Sequence, residues 1–319
     1  MMKNVLLLLA FIVAGTTLTA QQEAQFTQFM YNKLPLNPAY AGVRGVPSLT
    51  AIYRNQWVGF DGAPQSALAN FSSPFLSKRV GVGVTVRHFS IGLQRDFSGA
   101  LAYSYDVVSS ENVSFRVGLS GSIRSLSVAF TDAQANDPGD PSISNQKEND
   151  IFGNVGAGVY LTIKDHYYVG FSVPKIYSNV IGVPNPDPNI TLIAKEYPHF
   201  YGMAGAIIPV GEDINLMPAV LLKYVQNAPF DADINLNLDI REKFTVGLSY
   251  RIGGDGPGDS VDLLAYWQAT PQIGVGAAYD FTLSNIKDYS AGSFEILLHA
   301  DLKRDNGKKK NMTNPRFFM

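Results

Sequence analysis

Residues 243–252 read KFTVGLSYRI, and the alternation in this stretch decides the fold. Phe244, Val246, Leu248, Tyr250 and Ile252 fall on one face, with Thr245, Gly247, Ser249 and Arg251 on the other. A side-chain period of two belongs to a strand, here with one apolar and one polar face. The preceding stretch repeats the pattern: Ala232, Ile234, Leu236, Leu238 and Ile240 alternate with Asp231, Asp233, Asn235, Asn237 and Asp239. Extended over the chain, the reading gives fourteen strands at 48–56, 64–72, 80–90, 95–107, 112–127, 151–163, 166–173, 199–209, 213–225, 231–240, 243–252, 260–269, 272–282 and 292–302.

The connections separate a membrane barrel from a soluble sandwich. Tight turns follow even-numbered strands, as at Lys164-Asp165, Arg241-Glu242 and Thr270-Pro271. Longer loops follow odd-numbered ones, notably 128–150, 174–198, 253–259 and 283–291. Short periplasmic turns, longer outer loops and an even strand count are properties of outer-membrane barrels. A sandwich has no reason to sort its loops by parity. Closure follows because hydrocarbon cannot satisfy an open strand edge. The expected fold is all-β, an antiparallel transmembrane β-barrel of about fourteen strands.

Composition narrows the function. Residues 1–20 read as a signal peptide, with Lys3, an apolar stretch Val5–Val13 and Ala20 before the cleavage point. No later apolar run is long enough for a helical span. Cysteine is absent, which removes disulfides, thiolate metal sites and a cysteine nucleophile together. A net charge of −2 argues against nucleic acid as a partner. The histidines, His88, His166, His199 and His299, are scattered, with no zinc or hydrolase motif. Neither catalysis nor a cofactor is expected. Asp231, Asp233 and Asp239 share a face, but i, i+2 positions lie about 7 Å apart and do not converge on one ion. They read as a wet lumen wall.

Residues 21–47 precede the first strand as a periplasmic plug or lid. Phe26, Phe29, Met30 and Leu34 recur at helical spacing, and Asn37-Pro38 breaks that short turn. Glycines on the inward parity (Gly81, Gly83, Gly156, Gly158, Gly274, Gly276) fit a packed lumen or tight curvature. Tyr103, Tyr105, Tyr167, Tyr168, Tyr266, Trp267 and Phe281 are candidates for interfacial girdles or for cross-strand packing. Residues 48–302 form the barrel, and 303–319 a basic periplasmic tail (Lys303, Arg304, Lys308, Lys309, Lys310, Arg316). The tail reads either as solvated or as an electrostatic docking arm.

Two runs carry a family resemblance. The first holds Phe26, Gln28, Phe29, Asn32, Leu36, Asn37, Pro38, Tyr40 and Gly42; the second holds Arg54, Gln56, Trp57, Gly59, Phe60 and Pro64. With the Pro-Arg-Phe-Phe tail at 315–318, they resemble the signatures of the PorP/SprF family. The resemblance implies an outer-membrane barrel of the Bacteroidetes type IX secretion and gliding machinery. Such a subunit would dock or anchor a periplasmic complex or a secreted surface adhesin. Implied partners are type IX components or a large adhesin, outer-membrane lipid and a cell-wall-associated periplasmic protein. The even strand count, independently, would place both termini on the periplasmic side. The residues leave a porin or small-solute transporter open beside this reading. Arg54 is expected to fasten the plug through a lumen carboxylate or backbone carbonyls. Gln56 and Trp57 would join it in a polar-aromatic cluster, and 59–64 form a tight loop.

Overall fold

A computed structural model describes residues 23, 25–75, 79–129, 147–183, 192–226, 228–253 and 258–302. The expected signal peptide and the basic tail, including Lys303, Arg304, Lys308, Lys309, Lys310 and Arg316, lie outside the described residues.

The first half of the chain supplies β1 (Ser48–Asn55), β2 (Gln65–Phe75), β3 (Val80–Ile91), β4 (Gln94–Ser109), β5 (Val113–Ala129), β6 (Lys147–Ile163) and β7 (Tyr167–Val173). A separate hairpin, β8 (Asn179–Val183) and β9 (Leu192–Glu196), follows. The second half supplies β10 (His199–Ala206), β11 (Ile208–Pro209), β12 (Ile214–Val225), β13 (Asp231–Ile240), β14 (Phe244–Ile252), β15 (Ser260–Gln268), β16 (Ile273–Thr282) and β17 (Ser293–Asp301). Each strand pairs antiparallel with its neighbour, β1 pairs with β17, and β10 joins β7 to β12, so the sheet closes. β11 continues β10 beyond Ile207, which makes fourteen strands around the ring. All backbone polar groups of the wall can then pair within it, as a membrane requires.

The faces are inverted relative to a water-soluble protein. Leu101 is 67% exposed, Leu119 64% and Ile123 65%, while Arg54, Asp262 and Glu295 are at most 1% exposed. An apolar band this broad around a charged interior is stable only against lipid. Tyr103, Tyr105, Tyr167, Trp267 and Phe281 lie on the outer face. Tyr168 and Tyr266 do not; both are buried inward, where Tyr266 stacks on Tyr31 with ring centroids 4.5 Å apart.

Two loops are more ordered than expected. β5 and β6 stay paired out to Ala129 and Lys147, well into the 128–150 connection. Residues 147–150 are polar throughout, so the apolar alternation that marks a strand stops while the backbone ladder continues. In 174–198 the β8–β9 hairpin is hidden from sequence by the prolines at 184, 186 and 188. The two-residue turns at Lys164-Asp165 and Arg241-Glu242 have φ of 52–54°. These are left-handed conformations that two-residue hairpins demand.

Residues 25–47 run lengthwise through the ring. Their start lies near the long-loop ends of β1, β16 and β17, and their end joins β1 at the short-turn side. Glu23 lies beside Lys175, in the β7–β8 connection. Glu23, the first described residue, therefore lies at the long-loop end, and residues 25–47 lie against the inner wall from there to the start of β1. The expected helical turn is only a 3-10 turn at Phe29–Tyr31. Asn37-Pro38 does not simply break structure. The Asn37 side chain accepts from the Ala39 amide, and Pro38 opens a second 3-10 turn, Pro38–Tyr40.

Candidate functional site

The inner wall meets the N-terminal segment at three levels. At the long-loop end, β1 and β17 pair in a register that sets Arg54 directly opposite Glu295. The two Glu295 carboxylate oxygens accept the backbone amides of Thr27 and Gln28, each at 2.9 Å. Arg54 Nη2 lies 2.5 Å from Asp280, and its Nη1 donates to Thr27 Oγ1 at 2.9 Å. Thr27 Oγ1 in turn donates to Asp280. The turn at Phe29–Tyr31 is thus held by carboxylates that an arginine orients and neutralises.

This anchor belongs to a belt of charges on seven consecutive strands. Lys223 on β12 pairs with Asp231 and Asp233 on β13, and Asp233 lies 2.7 Å from Arg251 on β14. Arg251 also approaches Asp280 on β16, at 3.6 Å. Asp262 on β15 completes the row, opposite Asp280. Asp231 and Asp233 are buried and ion-paired, so the expected wet wall is a salt-bridged one. Asp239 accepts from Thr245 at 3.1 Å.

Asp262 is the exception. Both its oxygens are buried without a hydrogen-bond partner, across the ladder from another carboxylate. Removing its charge relieves like-charge repulsion and desolvation. We expect Asp262→Asn to raise the denaturation midpoint of the detergent-solubilised barrel, by about 1 kcal/mol of stability. A lowered midpoint would show that attraction to Arg251 dominates.

At mid-lumen, Asn37 Nδ2 donates to the Val159 carbonyl at 2.9 Å, and Ser172 donates to that of Leu36 at 2.6 Å. Asn32 is bonded by Asn70, and Tyr40 packs edge-on against Tyr160. Lys33 is fully buried, its ammonium 4.3 Å from the Tyr168 ring centroid. Toward the short-turn end, Arg116 and Ser104 donate to the Ala41 carbonyl at 2.9 and 2.6 Å, and the Gly42 amide donates to Ser72. Arg44 forks onto Asp301, at 3.0 and 3.1 Å.

The wall is cut to fit. A Cβ on Gly81, Gly118 or Gly158 would collide with Ala41, Ala39 or Asn37, and one on Gly276 with Gln28. Gly42, at φ +69°, brings its own backbone against Gly81 and Ser73.

The quoted site residues divide into two groups. Gln28, Phe29, Asn32, Asn37, Pro38, Tyr40 and Gly42 are buried within the lumen; Leu36 packs partly against the cluster that holds Phe29 and Tyr40, and Phe26 against a second one of Ile52, Tyr266 and Leu297. Arg54 joins the ion network. Gln56 and Trp57 do not join it: their amides close the β1–β2 loop onto the Pro64 carbonyl and Ser293 Oγ. Gly59, at φ +94°, and the exposed Phe60 form the loop tip. Sequence reasoning missed Asp280, Glu295, Arg251 and Lys33. The first three occupy the inward parity of strands that were correctly located. Among the described residues, no group of three or more His, Asp or Glu is arranged to hold a metal ion. The arrangement attaches the N-terminal segment to the inner wall.

Fold and interior together define a closed, fourteen-stranded outer-membrane-type barrel whose lumen receives its own N-terminal segment. A profile described as "Type IX secretion system membrane protein PorP/SprF" matches residues 18–300, and the chain belongs to that family. No curated protein matches the sequence. Among solved structures, the CymD monoaromatic hydrocarbon channel is similar at 11% identity and TM-score 0.48, over 88% of this chain and 94% of that one. The Ralstonia pickettii toluene transporter TbuX gives 10% and 0.47, over 86% and 92%. The Acinetobacter baumannii outer membrane protein Omp33 gives 10% and 0.43, over 80% and 94%.

Proposed function

We propose that this chain is a docking or anchoring subunit of the type IX secretion and gliding machinery, with residues 25–47 serving as a plug. The barrel, fixed in the outer membrane, would immobilise a partner that has no span of its own, either a periplasmic complex or a secreted surface adhesin. The observation that carries this reading is the use of the lumen. A pore keeps its polar inner face wet, whereas this wall spends its carboxylates, amides and glycines on a segment of its own chain. Family membership supports the association with secretion machinery. Partners would bind at the long loops and through the basic sequence of 303–319.

The test is mild-detergent affinity purification of a tagged copy from native membranes, with co-purifying proteins identified by mass spectrometry. Recovery of type IX components or one large adhesin is the expected result. Recovery of the barrel alone, conducting in planar bilayers, would replace docking with the porin reading.

A further inference from the structure

A cavity of about 140 Å³ lies between the N-terminal segment and the wall, bounded at one end by long-loop residues including Pro174 and Pro229. One part is apolar, formed by Phe26, Phe29, Leu34, Leu36 and Ala102. The other part is cationic. Arg87, Arg124, Lys175 and Lys223 line it, together with His199.

The wall supplies carboxylates to Lys223, Arg124 and Lys175 but pairs none with Arg87 among the described residues. Its own lining carboxylate, Asp231, pairs with Lys223, and Arg124 is engaged by Asp96 and Glu196 behind the surface. Arg87 is paired with Glu23, at 3.2 Å, and Lys175 bonds both Glu23 and Glu196. Glu23 belongs to the N-terminal segment, not to the wall. Two further polar atoms, Arg87 Nε and His199 Nε2, are buried with no partner. His199 is 6% exposed, and its Nδ1 is already engaged with the Tyr197 carbonyl at 2.9 Å. The polar end therefore has more binding capacity than its occupant uses. If Glu23 left, Lys175 would keep Glu196 but Arg87 would lose its paired carboxylate, a costly state for a buried cation, so an anion is favoured here. Burial opposes the ionisation of Glu23, but Lys175, Arg87 and His199 outweigh it and hold the carboxyl well below its ordinary range.

We propose that this cavity binds a carboxylate carried on an apolar body, and that Glu23 holds the Arg87–Lys175 pair as an exchangeable internal stand-in. The apolar part would take the ligand's body, and the cation pair its head. The same chemistry is offered by a free aliphatic acid and by the C-terminal carboxylate of an apolar chain end.

The experiment is calorimetric titration of the full mature barrel in a nonionic detergent. The probes are octanoate, 1-octanol, and the tripeptide Leu-Ala-Leu as free acid and as amide. Octanoate is expected to bind at least about tenfold more tightly than octanol, the scale of one charge-assisted hydrogen bond. Glu23→Gln removes the internal competitor and should tighten octanoate by about tenfold, because a tethered group competes at high effective concentration. Lys175→Gln should abolish the preference for the acid over the alcohol. Heat-modifiable gel migration checks that both variants are folded. Binding of the free-acid tripeptide but not its amide would assign the site to chain ends; binding of octanoate alone would assign it to small acids. If octanoate binds Glu23→Gln no better than octanol does, or if Glu23→Gln matches the unsubstituted chain, the proposal is overturned.

Discussion

Arg54→Met is expected to cost about 3–5 kcal/mol of barrel stability, the range for stripping one partner from a buried ion pair. Asp280 and Glu295 face Arg54 at 2.5 and 3.3 Å, and all three side chains are at most 2% exposed. Without the guanidinium, Asp280 keeps Thr27 Oγ1 and a more distant Arg251, at 3.6 Å. Glu295 keeps the two segment amides but loses its counter-charge. The loss would be read as a lower urea midpoint in detergent and faster proteolysis within residues 25–47. A companion substitution separates charge from packing. Arg54→Met combined with Glu295→Gln should recover part of the loss, because an uncompensated carboxylate is worse than a neutral amide that can still accept an N–H. If the double variant is no more stable than Arg54→Met, the cost lies in packing, and the anchor is not electrostatic.

How much of this was legible in the sequence differs between wall and interior. The strands were readable because lipid on one side and a polar lumen on the other impose a strict period of two. KFTVGLSYRI keeps that period through its whole length, and the pairing of Phe244–Ile252 with its neighbours follows it. Where β5 and β6 leave the membrane, the imposed contrast disappears and so does the signal. For Tyr168 and Tyr266 the choice between girdle and packing stayed open for a related reason: an aromatic residue near a strand end suits both a girdle and a packed interior, and only the parity within its strand distinguishes them. The Arg54 partner was foreseen as a kind of group but not as Glu295, because cross-strand register is set by turns more than 200 residues apart in the chain. Asp280 and Glu295 stand on the inward parity, so a closed-ring register drawn from the β1–β17 pairing would have found them. The two 3-10 turns of the N-terminal segment had no such guide. Their conformation is set by the wall they lie against, through Glu295 at one turn and Val159 and Ser104 at the other.

That dependence on the wall gives the second large effect. Gly118→Leu is expected to force residues 37–41 off β5, because even a Cβ at this position would overlap the backbone of Pro38 and Ala39. A backbone obstruction cannot be relieved by a side-chain rotation, so the segment must shift as a unit or leave. Gly121, on the opposite face of the same strand, has open space where a side chain would go. The same substitution there adds apolar surface toward lipid and should be neutral. Expulsion would be read two ways. A cysteine placed at Ala39 should become reactive to a water-soluble maleimide in the Gly118→Leu background and stay protected with Gly121→Leu. Single-channel conductance should rise at least about tenfold for Gly118→Leu alone, since an emptied fourteen-strand lumen is wide enough for water and ions. Deleting residues 23–47 should give the same open level. Protection and conductance unchanged by Gly118→Leu would mean that the segment does not close the barrel at β5. Reactivity without conductance would place the seal at the Arg54–Glu295 level, where the charge belt would hold the remaining residues across the lumen.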